Sequence, residues 1–282
     1  EGFLPGYGLY DSGIKALAYR HTGIKRGKHV FELSRPRMMA VREYVPGNMI
    51  YANGNKYKCA LYQLPLNQDD IDISTITYFP ETDSVSDAVT DAYQSRIELS
   101  SIPISDCDIT QISRISDEEN NRFQMRVKSV GKLHRVHRGG RELMSGRNTV
   151  KLIFGQKITQ MNLGPADLVA QEVYGYPLCT VCGAVRSPYS SIQELNSFSE
   201  HHEKSCNRKT ERLVFTAQDM VDGIRLDGIS DAATAQNLGE ALIVGATRRL
   251  AMERGDLSIL VTPESDKTVT LFIYDPMPGG SG

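Results

Sequence analysis

Five residues of metal-binding type fall in one short window: Cys179-Thr-Val-Cys182 and, further along the chain, His201-His202-Glu-Lys-Ser-Cys206. Two cysteines separated by two residues form a turn whose thiolates can share one ion, and a His and a Cys from a following helix can complete a tetrahedral shell. Thiolate and imidazole ligands suit Zn²⁺ better than oxygen ligands do. The window therefore predicts a structural zinc site, and the predicted ligands are Cys179, Cys182, His202 and Cys206.

A helix after the cysteine pair decides which histidine is the better ligand. Ser191-Ile-Gln-Glu194 has the form of a capping box, which predicts a helix that begins there and runs to about Glu203. His201 lies off the face that is expected to pack inward, and this favours His202. The alternative is a pair of unpaired cysteines in a loop and two exposed histidines. The positions that share the inward face are Ile192, Leu195, Phe198 and His202.

Composition limits the kind of protein. The chain has 282 residues, of which 40% are hydrophobic and 23% charged, as is usual for a soluble globular protein. This length is sufficient for about two or three domains. No stretch is apolar enough to span a membrane, and no signal peptide opens the chain. The five cysteines, two of them in a Cys-x-x-Cys unit, fit a reducing compartment, which predicts a cytoplasmic location.

The net charge of −2 conceals an asymmetry along the chain. Acidic residues dominate from Asp69 to Glu119, and basic residues dominate from Arg122 to Lys157, where Glu142 is the single acid. The two segments can neutralise each other within one fold. Alternatively, the basic run contacts the phosphates of a nucleic acid, and binding then falls steeply with salt. In that case the predicted contact residues are Lys128, Lys132, Arg135, Arg138, Arg141 and Arg147.

The first half of the chain is predicted to be β-rich with short helices. Ser34 is expected to cap a helix that has Pro36 in its first turn and runs to about Tyr44. Asn53-Gly54 predicts a hairpin because both residues tolerate positive φ, and Cys59 is expected to pack in its core. Further elements expected in this half are a strand at Ile71 to Phe79 and a helix at Ser86 to Arg96.

A second hairpin is predicted around the basic run. The segments Phe123 to Val130 and Asn148 to Phe154 alternate in polarity and are expected to pair across a glycine-rich loop, with Arg135 and Arg138 at its tip. A mobile basic loop of this kind can bind the phosphates of a nucleic-acid backbone. It can equally be a solvated loop without a function.

The second half is predicted to be an α/β module that contains the zinc stretch at 179–206. A strand at Arg212 to Thr216 is followed by a long helix from about Asp231 to Glu253, because apolar residues recur there at four-residue spacing. The expected fold is therefore α+β, with a β-rich domain at 1–160 and a zinc-binding domain at 161–282. The apolar positions of the helix are Leu238, Leu242, Ala246 and Leu250, and strands are expected at Leu257 to Val261 and Thr268 to Tyr274.

Four motifs in this chain occur together in a known family. They are Phe3-Leu-Pro-Gly-Tyr-Gly8, Glu43-Tyr-Val-Pro-Gly47, the Cys-x-x-Cys-Gly stretch with its later His and Cys, and Asp275-x-x-Pro-Gly-Gly-x-Gly282. In this order they resemble the C-terminal region of DEAD/DEAH-box helicases, members of superfamily two, that carry an MrfA-like zinc-binding (MZB) domain. The resemblance covers most of the chain.

The resemblance implies a DNA-acting machine of the kind found in bacterial DNA repair and in DISARM-type anti-phage defence. It implies DNA as a partner and ATP-dependent motor domains, either upstream in the same polypeptide or in a partner chain. The sequence does not begin with Met, so we expect it to be part of a longer helicase or of a helicase-companion protein.

Sequence motifs for catalysis are absent from the chain. It has no Gly-x-x-x-x-Gly-Lys-Ser/Thr loop and no Asp-Glu-x-His or Asp-Glu-x-Asp box, so ATP hydrolysis is not expected from these residues. Nor does it have a His-Glu-x-x-His helix or a Gly-x-Ser-x-Gly elbow. Two alternatives to a DNA-binding accessory region remain. One is a protein-docking scaffold, and the other is a zinc-dependent hydrolase in which Cys179, Cys182 and Cys206 bind the metal and water takes the fourth position.

Overall fold

The computed structural model describes residues 13–19, 29–67, 70–85, 95–116, 123–135, 137–145, 148–250, 252–253, 256–264 and 268–276. Within these residues the protein is α+β and rich in strands, as the sequence predicts. The strands are β1 (Ile14–Tyr19), β2 (His29–Arg35), β3 (Ile50–Ala52), β4 (Asn55–Tyr62), β5 (Ser74–Phe79), β6 (Ser84–Val85), β7 (Ile97–Pro103), β8 (Cys107–Arg114), β9 (Val127–Leu133), β10 (Gly139–Ser145), β11 (Asn148–Pro165), β12 (Tyr176–Leu178), β13 (Glu211–Ile229), β14 (Ser258–Pro263) and β15 (Val269–Tyr274). The helices are α1 (Arg37–Glu43), α2 (Ala166–Val169), α3 (Ile192–Cys206) and α4 (Ala232–Leu250).

One sheet has the strand order β2-β1-β8-β4-β3. β1 pairs with β2 antiparallel and with β8 parallel, while β4 pairs antiparallel with both β8 and β3. The predicted hairpin at Asn53-Gly54 is confirmed, because φ is 47° at Asn53 and 72° at Gly54, and a two-residue turn of type I′ requires positive values at both. Cys59 on β4 is buried in the largest core cluster, as predicted.

The first helix begins later than predicted. Ser34 does not cap it, because β2 continues through Arg35 and Ser34 pairs with Lys15 on β1. α1 starts at Arg37 after Pro36, whose ring holds φ near its observed value of −51°, and no side chain caps the helix. Three residues of α1 are buried in the largest core cluster, namely Met38, Ala40 and Val41.

The second sheet is organised around two long antiparallel strands, β11 and β13. The other edge of β11 is shared by β9 and β10, which pair with its C-terminal and N-terminal halves respectively. The predicted pairing of Phe123–Val130 with Asn148–Phe154 is therefore wrong. The segment expected to be a loop contains a strand, Gly139–Ser145, that pairs with Asn148–Phe154 instead. Alternation identifies segments able to form strands, but it does not choose between two possible partners.

β15 is buried on both of its faces. It lies between β13 and β14 in the sheet. Phe272 and Tyr274 belong to the largest core cluster, whereas Val269, Leu271 and Ile273 belong to a separate cluster with the buried residues of α4. α4 therefore covers one face of this part of the sheet, and the main core lies on the other face.

α4 packs through a different face from the predicted one. Its buried residues are Ala235, Gly239 and Ile243, whereas Leu238 and Leu242 are 37% and 42% exposed. A Cβ atom built on Gly239 would lie 2.8 Å from a side chain of β14. The small residues of the buried face let the helix approach the sheet more closely than a row of leucines would, and the predicted face is rotated toward solvent.

The predicted domain boundary between residues 160 and 161 falls inside β11, which runs through it without a break. The largest core cluster takes residues from both sides of this point. The division into 1–160 and 161–282 stays a prediction.

Several predicted features lie outside the described residues. They include the motif at Phe3–Gly8, most of the helix at Ser86 to Arg96, Arg147, and most of the C-terminal glycine-rich motif. Where the structure is described, no helix is both long and apolar enough to cross a membrane.

Candidate metal centre and basic surface

The turn that carries the first two cysteines is anchored to the edge of β4. Within the turn, the backbone N–H of Gly183 donates to the carbonyl of Cys179 at 2.8 Å. The carbonyl of Gly183 accepts from the N–H of Tyr62 at 2.8 Å. The φ angle of Gly183 is 74°. A Cβ atom at this position would lie 1.9 Å from the carbonyl oxygen of Tyr62, so no residue other than glycine fits without moving the backbone.

α3 presents the other two candidate ligands. The predicted capping box is present, since Ser191 accepts from the N–H of Glu194 and the Glu194 carboxylate accepts from the N–H of Ser191. Phe198 and His202 are the buried residues of this helix, with ring centroids 4.6 Å apart. Ile192 was expected on the same face but is 75% exposed, because α3 is buried only along its second half.

The structure brings the four predicted ligands together. One potential ligand atom from each of Cys179, Cys182, His202 and Cys206 lies within 4.8 Å of the other three. The Nδ1 atom of His202 is 3.5 Å from the sulfur of Cys182 and 3.5 Å from that of Cys206. Sulfur atoms at about 2.3 Å from Zn²⁺ are about 3.8 Å apart in a tetrahedron. The three thiols and one imidazole therefore fit Zn²⁺ in chemistry and in size.

The neighbouring histidine does not enter this cluster. His201 is exposed, and its ring centroid is 5.1 Å from that of His202. Between the two cysteines, the buried hydroxyl of Thr180 has no hydrogen-bond partner in the described structure. A metal-bound thiolate is an acceptor of the kind that this hydroxyl lacks.

Three groups of the cluster have shifted pKa values, and the shifts differ in direction. Burial raises the pKa of the Cys182 thiol to about 12, whereas a hydrogen bond from Ser205 lowers the pKa of Cys206. Burial, and then the neighbouring His201 and Arg186, lower the pKa of His202, which favours its neutral imidazole. Because a metal binds thiolates and neutral imidazole, loading a metal here would release the Cys182 proton and would be favoured by higher pH.

Three of the six predicted nucleic-acid contacts are exposed near the connection between β9 and β10. They are Arg135 and Arg138 in the connection and Arg141 on β10. The N–H of Arg138 donates to the carbonyl of Phe154 at 2.9 Å. A Cβ atom on Gly155, which has a φ of 56° at a bulge in β11, would lie 2.7 Å from the Arg138 side chain. The alkyl part of Arg138 therefore lies against this bulge, and the sheet fixes its path.

The other predicted contacts are placed differently. Lys128 is half-buried and forms an ion pair with Asp83, and Lys132 is also half-buried. Arg147 lies outside the described residues. Lys157 was not singled out from the sequence, but its carbonyl accepts from the N–H of His134 at 3.0 Å, which sets it beside the exposed arginines. Only the pairing of β9 with β11 identifies Lys157 as a neighbour of this group.

Together, the fold and the cluster define a strand-rich α+β protein with a Cys₃His group able to hold a metal ion. No protein-family model matches the sequence, and no curated protein matches it either. A solved structure, that of the DUF1998 helicase MrfA bound to DNA, is similar with a TM-score of 0.36 and 9% sequence identity. The match covers 95% of this chain and 27% of that one, so the chain spans about a quarter of the helicase's length.

Proposed function

We propose that this chain is a DNA-binding accessory region of a helicase-type DNA-processing machine, built around a structural zinc centre. The observation that carries the proposal is the exposed basic group formed by Arg135, Arg138 and Arg141. None of these three side chains has an ion-pair partner among the salt bridges of the described residues. Cations exposed to solvent between two strands and on the second of them are suited to phosphate oxygens.

The remaining candidates extend this basic group along the sheet. Lys132 and Lys157 lie on the neighbouring strands β9 and β11, and the proposal includes Lys128 and Arg147 as contacts at the margins. Lys128 would have to exchange its ion pair with Asp83 for a phosphate. The central contacts are therefore the arginines, and Lys128 is expected to contribute least.

The zinc centre has a structural role in this proposal. Four protein ligands close a tetrahedral shell, whereas a catalytic zinc site usually keeps one position for water. The close approach of His202 to two of the sulfurs favours the closed site over the hydrolase alternative. Zn²⁺ would fix α3 to the cysteine turn and hold this part of the fold on β4.

The finer parts of the proposal rest on the sequence resemblance. The ATP-dependent motor domains belong to the same polypeptide or to a partner chain, and the machine serves DNA repair or anti-phage defence in the cytoplasm. The protein-docking alternative predicts zinc binding without any affinity for nucleic acid, so it is separated from the proposal by measuring DNA binding.

The test is binding of fluorescent single- and double-stranded DNA over a range of salt concentrations to the zinc-loaded chain. We expect Arg135→Glu combined with Arg138→Glu to weaken binding about tenfold or more and to reduce the salt dependence by about two ions. The matched control is Arg96→Glu combined with Arg114→Glu, which reverses two exposed arginines elsewhere and should leave binding nearly unchanged. Equal affinities for the first variant and the wild type would remove this surface from the proposal. An unmodified chain that binds no DNA would favour the docking scaffold.

A further inference from the structure

The sheet face that α4 covers continues beyond the helix, where the apolar side chains of the described strands are exposed. α4 packs on Ile273 of β15, and Ile273 pairs with Ile224 on β13. Ile224 pairs with Leu152 on β11, and Leu152 pairs with Arg141 on β10. Directly paired residues point to the same side of a sheet, so these four residues form one row across the face. The row begins beneath α4 and ends on open sheet, and we call this exposed part the outer face.

Apolar side chains are concentrated on the outer face. Residues an even number of positions apart on a strand point to the same side. Leu143 therefore lies on the side of Arg141, and Phe154 on the side of Leu152. Met220 likewise lies on the side of Ile224. The exposed fraction is 44% for Leu143, 42% for Phe154, 38% for Met220 and 40% for Ile224. Isolated exposed apolar residues are ordinary, but a contiguous group on one face of a sheet marks an interaction surface.

One side of α4 borders the outer face. Gln236 and Glu240 lie on the opposite flank, where they line a cavity with β14 and β9. At 100° per residue, Leu238 and Leu242 fall on the flank that faces β13. Both are more than a third exposed, and a Cβ atom built on Gly245 would have no atom within 4 Å. The exposed apolar side of α4 is therefore next to the exposed apolar side chains of the sheet.

The charged side chains at the margins of this surface are basic. Arg141 and Lys157 lie on the sheet side, and Arg249 lies one heptad after Leu242 on the α4 flank. Among the described residues of the outer face, Asp222 and Asp275 are carboxylates. An Asp222 oxygen accepts from the N–H of Gly155 at 2.7 Å, and the N–H of Asp275 donates to the Asp222 carbonyl at 3.3 Å. A partner that covers the apolar centre would therefore gain from acidic residues at its margins.

We propose that the outer face and the exposed flank of α4 form a docking site for an amphipathic helix of a partner polypeptide. The apolar side of that helix would cover Ile224, Leu238 and Leu242, and aspartates or glutamates at its margins would face Arg141 and Arg249. A helix fits because helices on a sheet pack side by side, about 8–10 Å apart, and α4 already provides one neighbour. The apolar side chains offer no contact to phosphates, which argues for a polypeptide over a nucleic acid. This inference goes beyond the proposed function and does not depend on it.

The probe is a pair of synthetic fluorescent peptides of about 18 residues, long enough to form a helix of roughly 27 Å. Both peptides carry leucines at three- and four-residue spacing. One has glutamates beside the leucines, and the other has lysines at the same positions. Fluorescence anisotropy with the zinc-loaded chain should show about tenfold tighter binding of the glutamate peptide, because it gains two or three ion pairs that the lysine peptide lacks.

Two variants block the site without disturbing the core. Leu242→Glu places a charge in the apolar surface, and Gly245→Trp fills the open space beside it. Each should reduce binding of the glutamate peptide about tenfold or more, with an unchanged circular dichroism spectrum and zinc content. Ile192→Glu on α3 is the matched control, because it introduces the same charge at a side chain that is 75% exposed elsewhere. It should bind the peptide like the wild type.

Several results would overturn the inference. They are equal binding of the two peptides, binding that persists in both blocking variants, loss of DNA affinity in the uncharged variant Gly245→Trp, and self-association of the wild type that Gly245→Trp abolishes. The last two would mean that the surface binds nucleic acid or a second copy of the chain. Arg135→Glu combined with Arg138→Glu should leave peptide binding intact, so failure of the proposed DNA interface and failure of this docking site are distinguishable.

Discussion

At the scale of the residue, the two adjacent histidines of α3 differ in burial. His202 is buried against Phe198 and lies 3.5 Å from two sulfur atoms, whereas the adjacent His201 is exposed. Successive helix residues point about 100° apart, so only one of two neighbours can face the cysteine turn. Gly183 has a comparable constraint, since its close approach to Tyr62 fixes the turn on β4.

The first prediction follows from this difference between the histidines. His202→Ala should weaken zinc binding by more than the roughly 10- to 100-fold that loss of an outer hydrogen bond costs at metal sites, because a ligand itself is removed. Cys182→Ser should have a similar effect. His201→Ala is the control and should keep a full zinc content by atomic absorption and competition with a chromogenic chelator. Zinc loss in His201→Ala with retention in His202→Ala would reverse the assignment.

At the scale of the element, the far end of β13 is held to its neighbours by a charged network. Asp227 accepts hydrogen bonds from Lys151 on β11 at 2.9 Å and from the Thr270 hydroxyl on β15 at 2.9 Å. Arg225 also donates to Asp227 and lies 3.8 Å from Glu264. Burial alone would raise the pKa of Asp227, but these hydrogen bonds outweigh it and lower the pKa.

This network predicts a specific dependence of stability on acid. A carboxyl whose folded pKa is lowered stabilises the fold above its unfolded pKa of about 3.9, and the stabilisation disappears as pH falls through the folded pKa. Asp227→Asn should therefore lower the free energy of unfolding by about 1.5–3 kcal/mol at pH 7 and should flatten the loss of stability below about pH 4. Urea titrations at a series of pH values would measure both effects.

The control for this prediction is Asp70→Asn at an exposed carboxyl. It should leave both the free energy of unfolding and its pH dependence close to those of the wild type. If Asp227→Asn and the wild type lose stability in parallel as the solution is acidified, Asp227 is not the group responsible.

At the scale of the whole molecule, the candidate metal centre lies where the two sheets meet. The largest core cluster contains Leu178 and Val185 on either side of the cysteine turn, Tyr62 from the first sheet and Phe215 from the second. The rings of Tyr62 and Phe215 are 4.6 Å apart. A change at the turn therefore reaches both sheets through one continuous core.

Removal of the metal should consequently destabilise the whole unit. With free zinc at about 1,000 times its Kd, chelation should remove about 4 kcal/mol of stability, which lowers the Tm by on the order of 10 °C. Calorimetry of the purified chain with and without a chelator would show one transition that moves as a whole. A fixed main transition with a small separate one that responds to the chelator would indicate that the zinc turn folds independently. Cys182→Ser without a chelator should match the chelated wild type.

The sequence predicted features that depend on local chemistry. The capping box at Ser191, the hairpin at Asn53-Gly54 and the four residues of the cluster follow from short-range geometry, because caps, tight turns and paired cysteines each need particular residues at fixed spacing. The α+β class followed from the mixture of alternating and helical patterns. The expected histidine also came from local geometry, since one turn of helix decides the direction of His202.

The tertiary structure decided which segments meet. Alternation showed that Asn148–Phe154 could form a strand, but the pairing with β10 depends on long-range register that no local pattern contains. The leucines of α4 recur at helical spacing, yet Ala235 and Gly239 form its buried face, because only the sheet beneath determines how closely a helix can approach. The exposed surface beside α4 arises from both of these long-range choices. Local chemistry therefore determined the candidate metal ligands, and packing between distant segments determined which surfaces are exposed.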